Sequence, residues 1–234
     1  MGTLALLASL ALPASAPAQT GLPAAGTSAD GGHGLARWAH PVHAAAVRRR
    51  PSERSSRVAW THLRTEDGYP EVYPVLRFAV RKRVTWMLIR VPGRPNGRSG
   101  WVRAWALGPV YRVATRLVVD REGLSASLYR SGRRVWRSPI GVGQDSTPTP
   151  GGRFWIREKF PVADAGGLYG PRAFGTSAYS VLGDWPGGGV IGIHGTNEPG
   201  LIPGRPSHGC IRVPNEAIER LYRLMPIGTP VEIL

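Results

Sequence analysis

The stretch from Val190 to Val213 leaves the surrounding chain few ways to fold. Ile191 and Ile193 alternate with Val190 and Gly192, so VIGIH reads as a short buried strand that ends at His194. Thr196 to Pro206 is rich in Gly, Pro and Asn and reads as a loop. Apolar sequence resumes at Cys210, Ile211 and Val213. A strand, a loop and a return of this kind bring His194 against Cys210. His208 precedes Cys210 by two residues, so on an extended segment its side chain shares the thiol's face. Gly209, between them, lets a substrate come close to the backbone, whose N–H groups are then available to an oxyanion.

Cys210 is the only cysteine among 234 residues. A thiolate is the reactive form of the side chain, and a neighbouring imidazole generates it by taking the proton. Spacing alone does not decide whether His194 or His208 is that base. Two other readings stand beside the nucleophile. A single buried cysteine can be an inert small hydrophobe. One Cys and two His can also hold zinc, although no carboxylate at ligand spacing and no second cysteine accompany them.

The set His194, Gly195, Ser207, His208, Gly209, Cys210, Ile211 and Arg212 resembles the active-site signature of the L,D-transpeptidase (YkuD) family: a His-Gly pair, a loop, then Ser-His-Gly-Cys, an apolar residue and Arg or Asn. The run Thr147 to Phe154 (TPTPGGRF) and the segment Ala173 to Tyr179 are similar to the same family, and the resemblance covers about Tyr111 to Leu234. It implies a mainly β, sandwich-like catalytic domain with one or more short helices. It implies that Cys210 attacks the carbonyl on the L-configured side of an L,D-peptide bond in a peptidoglycan stem peptide, releases a terminal D-alanine and passes the acyl group to the amine of an acceptor stem. His194 is then the acid/base partner, oriented by the Gly195 carbonyl, and His208 an auxiliary donor. Ser207, Gly209 and Arg212 support the site, with Arg212 orienting rather than reacting. The chemistry needs no metal or organic cofactor, and carbapenem-type β-lactams are the expected inhibitors. Water as acceptor makes the same site an L,D-carboxypeptidase, and an inactive site leaves a wall-binding protein.

Net charge is +15, from 30 basic and 15 acidic residues, and only Lys82 and Lys159 of the basic set are lysine. Such a charge favours polyanions. No nucleic-acid fold or basic recognition helix is recognisable, so an anionic cell wall is the expected contact and nucleic acid is not. Residues 1–18 read as a signal peptide, with an apolar run Thr3 to Leu12 followed by small residues, although residues 1–36 lack the usual Lys or Arg. The expected location is therefore outside the cytoplasm, in periplasm or wall. An unpaired thiol in an exported chain is a candidate reactive group.

Residues 19–37 read as a flexible linker. Residues 38–108 read as a first β unit, similar in layout to small bacterial SH3-like barrels. Strands are expected at Val72 to Leu76, Val84 to Val91 and Gly100 to Trp105, with Trp60, Trp86, Trp101 and Trp105 mainly in the core, although an exposed one could stack on a sugar. Residues 111–234 read as the catalytic unit. A hairpin is expected over Thr115 to Tyr129, turning at Asp120 to Gly123. Pro161 to Gly175 reads as a lid, with Tyr169 and Phe174 as substrate contacts and Tyr179 a third candidate. Asn215 reads as the cap of a helix to about Met225, with Ile218, Leu221, Tyr222 and Met225 on one face.

Overall fold

The computed structural model describes residues 35–183 and 186–234. The expected signal peptide and nearly all of the expected linker lie outside the described residues. The chain is mainly β, with two sheets and one α-helix.

The first sheet contains β1 (Ala36–Pro41), β2 (Ala46–Arg48), β3 (Arg57–Trp60), β4 (Tyr73–Arg81), β5 (Val84–Arg90), β6 (Ser99–Arg103) and β7 (Leu107–Val113). Its order is β3-β2-β6-β5-β4-β1-β7, and neighbouring strands run antiparallel. The strands alternate, and their inner residues Val47, Tyr73, Val75, Met87, Ile89 and Val102 form one core. The two ends of this order are β3 and β7. Strand β7 pairs with β1 from Ala36↔Val113 to Pro41↔Leu107. Residues 111–113 therefore belong to a strand of the first sheet. Likewise β1 begins at Ala36, inside the expected linker.

The second sheet contains β8 (Thr115–Asp120), β9 (Ser125–Arg130), β10 (Arg133–Pro139), β11 (Gly141–Gly143), β12 (Gly152–Pro161), β13 (Arg172–Tyr179), β14 (Val190–His194), β15 (Gly204–Ser207), β16 (Ile211–Arg212) and β17 (Pro230–Ile233). Its order is β10-β9-β8-β17-β12-β13-β14-β16-β11-β15. The β8–β9 hairpin turns where expected, because Asp120 Oδ1 accepts the N–H groups of Glu122 at 3.1 Å and Gly123 at 2.8 Å. Helix α1 (Asn215–Leu224) buries Ile218 and Leu221 against the sheet. Asn215 does not cap it: Pro214 occupies the cap position, and the Asn215 amide oxygen instead accepts the Thr196 N–H at 2.8 Å.

The two sheets are joined through buried polar groups. Arg157 on β12 is 2 % exposed, and its guanidinium meets both Glu71 oxygens, at 2.8 and 2.5 Å, and Glu66 at 2.8 Å. Trp155 donates its indole N–H to the Val72 carbonyl at 2.8 Å. At Gly228, where φ is +79°, a side chain would collide with the Trp38 ring.

Glu158 accepts from Thr65 at 3.1 Å in the same interface. Burial first, and then the Asp67 charge, push its carboxyl up to about 7. A raised carboxyl contributes stability that is complete below about 4.5 and is lost as pH rises through about 7. Glu158→Gln keeps an acceptor for Thr65 and removes that loss. Urea melts at pH 5 and pH 8 should show the variant's stability difference smaller than the wild type's by on the order of 2 kcal/mol. Parallel pH profiles for the two proteins would exclude Glu158 as the source.

Candidate active site

Strands β14 and β16 lie side by side and run parallel, with Ile193 opposite Ile211 and His194 opposite Arg212. Gly195 follows the end of β14, and Gly209, at φ +121°, bends the chain just before Cys210 and β16. Apolar Ile191, Ile193 and Ile211 anchor them in the core, so the polar residues at their ends are held on a rigid base. His194 and Cys210 thereby come to flank Gly192. A Cβ built on Gly192 would stand 3.6 Å from His194 Cδ2 and 3.8 Å from Cys210 Sγ, so the absence of a side chain there keeps the space between imidazole and thiol open. The Gly192 N–H also donates to Sγ at 3.3 Å.

His194 is 4 % exposed, and its Nδ1 lies 2.6 Å from the Gly195 carbonyl oxygen. A carbonyl only accepts, so Nδ1 carries the proton and Nε2 keeps a free lone pair. Burial, with the Arg212 charge adding to it, lowers the imidazole to about 4, against the opposing Gly195 bond. Burial likewise pushes the Cys210 thiol up, while the Gly192 N–H and Arg212 pull it down. At neutral pH both side chains are therefore uncharged, a neutral imidazole and a protonated thiol.

The Ser207-to-Cys210 turn is fixed by its own polar groups. Ser207 Oγ donates to the Cys210 carbonyl at 2.6 Å and accepts the Gly209 N–H at 3.1 Å. Gly209 has φ +121°, and a Cβ there would lie 2.8 Å from the Ile191 side chain, so only glycine fits. This bend takes the turn out of the extended conformation that would put His208 on the thiol's face. His208 is exposed, whereas His194 is buried and Cys210 partly buried. The Gly209 N–H, committed to Ser207, is not directed at a substrate. Among the described residues, no group of three or more His, Cys, Asp or Glu side chains is placed to hold a metal ion.

Arg212 is 9 % exposed and donates to Glu198 at 2.7 Å, tying β16 to the loop that follows His194. Lysine would retain the charge but lose the planar fork. Arg212→Lys should slow thiol acylation about tenfold in stopped-flow measurements while leaving it detectable. Unchanged kinetics would remove Arg212 from the site.

The three aromatic candidates separate. Tyr169 is half-exposed, and its ring stands edge-on to His194, with centroids 4.8 Å apart. Beside it, Gly170 packs so closely on Gly195 and Asn215 that a Cβ would have no room, so the loop between β12 and β13 does lie over the His-Gly turn. Phe174 is not on that loop. It belongs to β13, is 1 % exposed and packs against Tyr222 in the core, which removes it from substrate contact. Tyr179 is also buried, with its hydroxyl bonded to Glu66 and Arg157 in the interface between the sheets.

Several contributors were not assigned a role from sequence. Thr149 donates from Oγ1 to the Gly209 carbonyl at 2.8 Å and accepts the Gly143 N–H at 2.8 Å, bracing the cysteine turn from behind. The Thr-Pro-Thr-Pro run was the available signal. Arg94, from the β5–β6 loop of the first sheet, donates to the carbonyls of Ser180, Leu182 and Gly188 at 2.8–3.2 Å. Asn96 pairs with both backbone groups of Tyr179 at 3.0 Å. Nothing local in sequence signals these long-range bonds.

The family model for the YkuD L,D-transpeptidase catalytic domain matches residues 114–233. The chain belongs to the L,D-transpeptidase family. The match starts one residue after β7, where the second sheet begins. YkuD of Bacillus licheniformis, which bears an L,D-transpeptidase name, is 36 % identical over 118 residues, 50 % of this chain and 64 % of the relative. Its Bacillus subtilis counterpart is 32 % identical over 125 residues, 53 % of this chain and 68 % of the relative. The chain thus spans about two thirds of the length of these relatives. Among solved structures, a cysteine-to-serine mutant of an Enterococcus faecium L,D-transpeptidase is 26 % identical, with 51 % of this chain and 49 % of that one covered at a TM-score of 0.40.

Proposed function

We propose that this L,D-transpeptidase-family protein acts outside the cytoplasm and cross-links peptidoglycan stem peptides through a thioester on Cys210. The observation that carries the reading is the juxtaposition of a buried imidazole, whose Nδ1–H is held by the Gly195 carbonyl, with the chain's only thiol: His194 Cδ2 and Cys210 Sγ both lie within 4 Å of where a Cβ on Gly192 would stand. As Sγ attacks the carbonyl carbon on the L side of an L,D-peptide bond, its proton passes to Nε2. The C–N bond breaks, the departing D-alanine nitrogen takes that proton, and the acyl group remains on sulfur. An acceptor amine then attacks the thioester and gives a proton to Nε2. The C–S bond breaks, and the sulfur recovers the proton from Nε2. Nothing in this sequence changes oxidation state, and no metal or organic cofactor takes part. Carbapenems are expected inhibitors because their strained carbonyl accepts the same thiol.

The Tyr169 ring stands edge-on to the imidazole, and the +15 charge favours an anionic wall around the enzyme. Incubation with purified tetrapeptide muropeptides, followed by mass spectrometry, tests the reading. Cross-linked dimers with loss of D-alanine support it. Tripeptide alone means that water is the acceptor and that the protein is an L,D-carboxypeptidase. Unchanged tetrapeptide would overturn both.

A further inference from the structure

The first sheet carries two large aromatic side chains in solvent where the sequence suggested core. Trp60 is 47 % exposed and Trp105 54 %. They line one groove of about 360 Å³, with buried Trp86 also in its wall. The groove's polar groups are preassembled. Glu53 pairs with Arg48 at 3.3 Å and with Arg103, and the Arg103 guanidinium lies 6.0 Å from the centre of the Trp86 ring. Arg57 lies over the Trp60 ring at 5.2 Å. The β2–β3 turn beside it adds Arg49, Arg50 and Arg54, all exposed. Counting Arg48, Arg57 and Arg103 with these gives six guanidinium groups against the one carboxylate of Glu53.

We propose that this groove binds the glycan strand of the wall: a polymer of N-acetylated amino sugars with an acid group on every second ring, a free carboxylate wherever the stem peptide has been removed. The proposal rests on the peptidoglycan reading above. The chemistry fits in three respects. The apolar face of a pyranose ring stacks on an exposed indole. Hydroxyl groups both donate and accept, which matches a floor containing a carboxylate acceptor and guanidinium donors. The net positive rim matches the regularly spaced carboxylates. A proline-rich peptide would offer Glu53 few donors.

The full chain should be titrated calorimetrically, at low and moderate salt, with four probes: glycan strands stripped of stem peptides, chitin oligosaccharides of equal length, free stem tetrapeptides and a single-stranded DNA oligonucleotide. Glycan strands should bind, chitin fragments roughly tenfold more weakly, and added salt should narrow that gap. Trp60→Ala with Trp105→Ala should weaken glycan binding roughly tenfold or more, and tyrosine at both positions should restore most of it. Neither indole touches Cys210 or His194, so acylation of the double variant by a carbapenem should proceed at the wild-type rate, which separates lost binding from lost fold. The proposal is overturned if the alanine variant binds glycan as the wild type does, if chitin fragments bind equally well, or if peptide or DNA binds with the same dependence on the two tryptophans. Failure of the wild type to process muropeptides would instead remove the catalytic reading, and it is read in a separate assay.

Discussion

Cys210→Ala is expected to abolish covalent capture of a carbapenem completely, with no adduct mass at any pH and no cross-linked muropeptide. The chain has no second thiol to substitute for it. The loss should be purely chemical. Cys210 is partly buried and accepts one long hydrogen bond, from Gly192 at 3.3 Å, so a methyl group in its place should change stability by no more than about 1 kcal/mol. Intact-protein mass spectrometry and a thermal melt on the same sample check both halves. An adduct on the variant would show that some other side chain is acylated.

His194→Ala is expected to slow acylation at pH 7 by about two to four orders of magnitude, the usual worth of a positioned base. The thiol in this protein is held above its ordinary value by burial, so without the imidazole even less thiolate is present than the few per cent of a free cysteine. Raising the pH should recover part of the rate as the thiol ionises unaided. His208→Ala, an exposed site at the bend, should cost far less and show little alkaline recovery. Alkaline rescue of the His208 variant alone would reverse the roles. The wild type carries a further signature. With His194 at about 4, its base form is intact at pH 5, so the acylation rate should stay level from pH 7 to 5 and fall only near 4. A fall centred near 6.5 would mean an imidazole with its ordinary affinity for protons. The same depressed value affects stability in the opposite sense to Glu158. Between about 6.5 and 4 the unfolded chain binds a proton that the folded one does not, so this contribution is present above 6.5 and lost as pH falls through 4.

Local chemistry made some of this legible in the sequence. The β8–β9 hairpin could be read because alternation and an Asp-Arg-Glu-Gly turn are both contained within sixteen residues, Thr115 to Arg130. The pairing of His194 with Cys210 could be read because two short apolar runs bracket one loop. What was hidden depends on distant partners. The end of β7, Tyr111 to Val113, reads as the start of the second unit, since nothing in LGPVYRV reveals that its partner is β1, some seventy residues earlier. The first half of β13, Arg172 to Gly175, reads as the end of the lid loop, yet β12 and β14 enclose the strand and almost every residue in it is buried. Phe174 and Tyr179 were therefore expected at a surface they do not reach. The exposure of Trp60 and Trp105 is of the same kind: their residue type suggests core, and only the completed sheet leaves them outside.

The Arg157 contact gives the start of the family match at Ala114 a meaning different from the one its sequence suggests. A chain cut there would keep a guanidinium designed for enclosure and lose both carboxylates that neutralise it, Glu66 and Glu71. The same cut removes the sheet that covers the guanidinium, so the charge would stand in water, and what is lost is the enclosed, paired contact rather than the cost of an orphaned buried charge. Trp155 and Tyr179 would lose their cross-sheet partners in the same cut. The catalytic half is thus modular as a sequence but not as a thermodynamic object. Any transplant of it onto another N-terminal partner must bring a pair of acids to the same place, or replace Arg157 by an uncharged side chain.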